Sequence, residues 1–299
     1  MIVNPVLKYE GPAVIDLKKD TYTILNFNSD LDELIKKYKD TLLTALTDDT
    51  QRLIIRHYLR IIDELCRQAC ECLKNKSHST LEALSRVVME QSANKLYVGM
   101  DEGNNGRSLL RSSNQLIESN GKAWTAYLES QDAQNPAAQA RQKNGASMLS
   151  HFNEEWSDVA RYPSGKGLFK ALGWENHYYA FYAPLCDSVH SFSDEMSALI
   201  GIGKIFEHSE VEGVKTLQYW DKERRRLATY HFAVALGLRA EAFARLCELQ
   251  LGDFKDEKAD KLFTKLKNLV ETHDNFDHAR LDAMSKGLVA YLKFPIKTW

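Results

Sequence analysis

Apolar residues recur at intervals of three and four through most of the chain, the pattern of helices that bury one stripe and leave the other side polar. Leu31, Ile35, Tyr38, Leu42 and Leu43 share one side of a stretch that Ser29 or Asp30 can cap, which predicts a helix to about Leu46. Asp48 or Asp49 can cap a second, whose face of Leu53, Ile54, His57, Ile61 and Leu65 continues to about Leu73. Ser77 or Ser79 opens a third that reaches Val98. Three capped helices with short connections predict antiparallel neighbours in a bundle.

The flanking segments read differently. Residues 1–28 carry β-branched and aromatic content at Val14, Ile15 and Tyr22–Phe27, broken by Pro5, Gly11 and Pro12, so an extended arm is predicted to wrap the body. Gly99–Gly106 (GMDEGNNG) is the strongest break in the chain. Beyond it, Ser108–Gln131 and Ala137–Arg161 read as two polar-surfaced helices with sparse apolar positions, including Leu116, Trp124 and Met148. They predict a protruding hairpin, an insertion over 107–161, that leans on a partner or a second copy.

After a turn at Tyr162–Gly167, the stretch Trp174–Ser193 reads as a helix that bends or restarts at Pro184. A short helix over Ser193–Phe206 and a loop around Glu210–Gly213 follow. A long helix from Lys215 or Tyr219 to Leu251 comes next, with small positions such as Ala233, Ala235 and Ala240 that permit close packing. Two last helices are expected over Lys255–Thr272 and Phe276–Leu292, the second capped by Asp274 or Asn275, and the final six residues fold back or fray. The reading is an all-α multi-helix bundle: an arm over 1–28, then one helical domain over 29–299. Its core should contain Tyr97, Trp174, Phe181, Tyr182, Val189, Phe232 and Leu236.

Composition narrows the function classes. A chain of 299 residues with 44% hydrophobic residues buries a core without staples. A net charge of −2 argues against a strongly electrostatic nucleic-acid binder but leaves room for a local basic cleft. No apolar run approaches bilayer length and the first residues lack signal-peptide features, so a cytoplasmic protein that engages no membrane is expected. Five cysteines without disulfide-like spacing read as reduced residues of the core. Zinc, di-iron, phosphate-loop and dinucleotide signatures are absent, and no metal or cofactor is expected.

Two polar constellations carry candidate chemistry. Arg86 and Glu90 lie one turn apart, with Asn94 and Tyr97 continuing their face, and Tyr182 and His190 stand on the later stretch. One reading is a buried network that fixes the register of two helices. The other is a polar cleft in which His190 moves a proton, Glu90 orients it and Arg86 holds an anion. The R-x-x-x-E of Arg86 and Glu90, together with Tyr182, Leu185 and His190, resembles a widespread bacterial all-helical family of unknown function. That family's later helix reads Y-x-x-L-S-x-x-x-H; this chain departs from it with Cys186 at the serine. The resemblance implies a helical fold and a bacterial stress or phage-defence setting, and brings no activity with it.

The second constellation is R-x-x-x-x-H at Arg226 and His231, with another instance at Arg52 and His57. It is similar to the motif of metal-independent ribonucleases of the HEPN class. That similarity implies an arginine that holds phosphate and a histidine that assists proton transfer from the ribose 2′-hydroxyl. Two functions follow from different classes: a non-catalytic helical binding or regulatory module, or a metal-independent ribonuclease or related phosphate-ester enzyme. A homodimer is expected, with RNA or a protein as the further partner.

Overall fold

The longest helix, α10 (Glu210–Leu251), forms the axis of the bundle, and from Ala228 to Cys247 most of its side chains are buried. The computed structural model describes residues 14–191, 193–252, 254, 256–285 and 296–297, with backbone alone at 188–191, 193–195, 283–285 and 297. α1 (Leu17–Ala45), α2 (Asp49–Lys74) and α3 (His78–Val98) are the three successive helices expected, but α2 buries Ile55, Tyr58, Ile62 and Cys66, one position round from the expected face, of which Leu53 and His57 are exposed, and Ser77 makes no side-chain cap bond on α3. α3 packs along α10, where Ser85, Ser92, Ala93, Ala233, Ala240 and Ala242 are all buried and let the two backbones come close. Trp174, Phe181, Tyr182, Phe232 and Leu236 are buried as expected and Tyr97 is partly so; the side chain of Val189 lies outside the described residues.

The expected arm is shorter than 1–28. Residues 1–13 lie outside the described residues, but 17–28 belong to α1, whose N-cap is Asp16, accepting from the Lys19 N–H, and not Ser29 or Asp30. The β-branched and aromatic content of this segment suggests a strand, but its period is helical. Leu17, Thr21, Ile24, Phe27 and Leu31 recur at helical spacing and all are buried. What is extended is Ile15–Asp16 (β1), which pairs in parallel with Ile296–Lys297 (β2), so this part of the C-terminal segment folds back.

The glycine-rich break is a tight turn between α3 and α4 (Asn104–Glu129). Gly103 adopts φ +114°, and a β-carbon there would meet the Asp48 carboxylate, which caps α2 and pairs with Arg107. α4 and α5 (Pro136–Glu155) form the predicted hairpin, with Asn135 as N-cap of α5. Gly121 and Gly145 make the crossing possible, because a β-carbon at either would stand 2.7 Å from the opposite backbone. The base of the hairpin is tied down by Ser108 and Arg111, which donate to the carbonyls of Ala160, Trp156 and Val159.

Three boundaries differ from expectation. The stretch after α6 (Gly165–Ala171) takes the restart and not the bend of the two alternatives at Pro184, with a π turn that the sequence did not announce. A single turn, α7 (Glu175–His177), runs into a π-helical turn at Tyr178–Tyr182 and then α8 (Ala183–Ser191), with Pro184 in its first turn. α9 (Ser193–His208) is joined to α10 by Ser209, whose hydroxyl accepts from the Glu212 N–H, so the loop expected at 210–213 is helical. α11 (Glu257–Ser285) runs through the break expected at 272–276. His273, Asp274 and Asn275 are weak helix formers, but His273 is fully buried and Asp274 accepts from the Tyr230 hydroxyl, so packing overrides propensity.

All five cysteines are free, and Cys66, Cys70 and Cys247 are buried. Beside them lies Lys95, whose ammonium is enclosed in the core 5.7 Å from the Phe243 ring. Burial, reinforced by the like charge of Arg239, pushes Lys95 down to about 7 from its ordinary 10.5. The unfolded chain therefore binds a proton that the fold holds less tightly. The cost is full below pH 7 and vanishes above the unfolded value, so this residue makes stability rise with pH between the two. Lys95→Met is expected to raise the melting temperature at pH 7 and to lose most of that advantage by pH 10. A melting series across this range checks it; a variant less stable at pH 7 would show that the ammonium is a needed contact.

Candidate functional site

α3 and the segment from the π turn into α8 bring together three of the four residues of the first constellation. The Tyr182 hydroxyl donates to Glu90 Oε2 at 3.0 Å, and Arg86 Nη2 lies 3.9 Å from the same oxygen. Arg86 Nε points at Cys186 Sγ, 3.0 Å away, while its guanidinium lies 5.4 Å from the centre of the Tyr182 ring. The serine position of the family pattern is thus occupied by a thiol that accepts from the motif arginine. The side chain of His190 lies outside the described residues.

The π turn supplies the tyrosine. Tyr182, the last residue of the turn, is buried with Phe181, while Tyr179 within it is half exposed. Burial, then the Glu90 charge, pushes the Tyr182 hydroxyl well above its ordinary value, which keeps it a donor. The same α3 face continues as predicted: the Tyr162 hydroxyl donates to Asn94 Oδ1 at 2.7 Å, and Tyr97 meets the Tyr162 ring edge-on. Arg86 and Glu90 keep 22% and 37% of their side chains exposed, so the cluster is a half-open seam between helices and not a sealed core.

The second constellation does not converge. Five residues along an α-helix is about 140° of rotation, so Arg226 and His231 leave α10 in different directions. Arg226 is fully buried: Nε and Nη2 grip both oxygens of Glu223 at 2.8 Å, Nη2 also reaches Asp277 at 2.6 Å, and Nη1 faces His273 Nδ1 at 3.4 Å. Four of its five N–H groups are thereby committed. Burial works against its charge, but Glu223 and Asp277 outweigh it and push the guanidinium further up. On Glu223 burial likewise opposes ionisation, yet Arg226 and Arg280 hold the carboxyl below its usual range. His231 instead faces α3, its Nδ1 3.4 Å from Glu82 but without hydrogen-bond geometry. The other instance is also separated: Arg52 donates to the carbonyl of Leu46 at the end of α1, and His57 is exposed.

The network around Arg226 was legible only in part. Glu223 with Arg226 and Asp277 with Arg280 are three apart on one helix, a spacing at which opposite charges meet. Nothing in the sequence announces the bonds between helices: Arg280 to Glu223 at 2.5 Å, and His273 Nε2 to Asp20 of α1 at 3.2 Å. Tyr230 stacks on His273 with the rings 5° from parallel and donates to Asp274. Burial pushes the Asp274 carboxyl up even against that bond. Tyr230, His231, Asp274 and His278 edge a cleft of about 420 Å³ beside the network.

Among the described residues no group of three or more His, Cys, Asp or Glu side chains is placed to hold a metal ion, and no helix is long and apolar enough to cross a membrane. No protein-family model, curated protein or solved structure matches this chain.

The Tyr182 to Glu90 bond joins two segments 92 residues apart in the sequence. Tyr182→Phe removes a donor and leaves a half-exposed carboxylate that water can satisfy, so it should cost about 1 kcal/mol in denaturant unfolding. A loss above about 3 kcal/mol would mean that the seam is sealed.

Proposed function

We propose that the chain is a non-catalytic helical binding or regulatory module that works as a homodimer. The observation that carries this reading is the apolar surface of α9 and the first turns of α10. Met196, Leu199, Ile200, Ile205, Phe206, Val211, Val214 and Leu217 are all exposed within 22 consecutive residues. Monomeric proteins scatter exposed apolar side chains singly; a run of this density costs solubility unless something covers it. Its aliphatic character is that of homodimer interfaces, which are more apolar than transient ones. α9 otherwise packs on α10 and α8, through Ile202 and its neighbours, and its outer stripe stays exposed among the described residues.

The nuclease reading has less support, since the arginine it needs is enclosed by carboxylates and its histidine faces elsewhere. The hairpin, where the sparse pattern suggested self-association, exposes Leu116, Trp124, Tyr127 and Met148, half as many large apolar side chains. A bacterial stress or phage-defence setting rests on the motif resemblance of Arg86, Glu90, Tyr182, Leu185 and His190 alone.

Light scattering at tens of micromolar is expected to give twice the chain mass. Ile200→Glu should yield a monomer with a melting temperature close to that of the parent, whereas Trp124→Glu should leave the dimer intact. A monomeric parent at that concentration would overturn the proposal; dissociation by Trp124→Glu alone would move the interface to the hairpin.

A further inference from the structure

α1 and α2 run side by side and leave between them a cleft of about 470 Å³. Five cations line it: besides Arg239, Lys36 and Lys39, one turn apart on α1, face Arg56 and Arg60, one turn apart on α2. Elsewhere cations pair readily, as Arg67 does with Asp63, Arg107 with Asp48 and Arg225 with Asp221. None of these four has a carboxylate in ion-pair contact among the described residues. The acids of the cleft are engaged or set apart: Asp32 holds Arg239 at 2.6 Å, Asp63 holds Arg67 at 3.2 Å, and Asp40 is exposed without a close cation.

Below the cations the cleft is apolar. Ile35 and Leu43 are buried and Leu59 is half buried, so an occupant meets hydrocarbon beneath and positive charge around. Arg239 closes the inner end, buried and fixed between Asn28 and Asp32 by hydrogen bonds of 2.8 and 2.6 Å. Four like charges converging on a groove repel one another, and although Asp32, Asp40 and Asp63 also line it, none of the three is in ion-pair contact with these four. Two arginines present planar forks that match phosphate oxygens, and the lysines add compact charge. The volume lies within the range of small-molecule sites.

We propose that the α1/α2 cleft binds a small phosphate ester of nucleotide-like chemistry, its phosphates held by Lys36, Lys39, Arg56 and Arg60 and its apolar or planar part resting on Ile35, Leu43 and Leu59. A polymer is the less favoured occupant, because the chain as a whole is net negative and the cations are confined to one pocket-sized cleft. The inference concerns different helices from the apolar face of α9 and stands whether or not the chain dimerises.

Calorimetric titration of the full chain with ATP and with inorganic pyrophosphate, in chelator and low salt, tests the inference. Saturable binding of ATP at one per chain is expected, tighter than that of pyrophosphate. R56A/R60A and K36A/K39A should each weaken it at least tenfold without lowering the melting temperature of the free protein. Lys261→Ala, in the neighbouring cleft between α1 and α11, should leave binding unchanged. The inference fails if neither probe binds saturably, or if both double variants bind as the parent does. Pyrophosphate binding tighter than ATP would overturn the role of the apolar floor. A 20-nucleotide RNA that binds through the same four residues while ATP does not would replace the small ligand with a polymer.

Discussion

Two guanidinium groups buried on a single helix set the terms for the rest of the molecule. Arg226 and Arg239 both leave α10 into surroundings without solvent, and each must find carboxylates or lose several kcal/mol to desolvation. Arg239 finds Asp32 and the Asn28 amide on α1; Arg226 finds Glu223 on its own helix and Asp277 on α11. His273 closes the circuit from Arg226 to Asp20 of α1. Hydrophobic burial is non-directional and constrains the register of α1, α10 and α11 only loosely. These charge-assisted bonds are directional, and they tie α10 to α1 and α11 at fixed positions.

The same constraint bears on function. A buried arginine already neutralised by two carboxylates is unsuited to a developing phosphate charge, since the ligand would have to displace partners held at 2.6 to 2.8 Å. The groups left free to bind something are at the periphery: the aliphatic stripe of α9 and the unpaired cations between α1 and α2.

The sequence made the helices legible because apolar residues recur at helical spacing, and Asp48 caps α2 where residue type suggested it would. It misled where two periods compete, as at Tyr22–Phe27, whose β-branched and aromatic residues disguised the helical spacing of Leu17, Thr21, Ile24, Phe27 and Leu31. It misled again at His273–Asn275, where low propensity is overcome by partners on α1 and α10 that lie far away in the chain. Of the site, the Arg86, Glu90 and Tyr182 grouping was legible from spacing, since two stripes that each present polar groups inward must meet somewhere. The committed state of Arg226 was not. A local motif records which residues stand near one another on a helix, but whether an arginine is free or clamped depends on Asp277, 51 residues on.

Arg226→Met, measured in parallel by denaturant unfolding and by RNA cleavage in the presence of a chelator, tests the account at its centre. If Arg226 holds the fold, its loss strands Glu223 and Asp277 without their partner and should cost about 3–5 kcal/mol, with no chelator-resistant cleavage by parent or variant. A variant that unfolds with the parent's stability yet loses a cleavage activity that the parent possesses would contradict the account and make Arg226 a residue of catalysis.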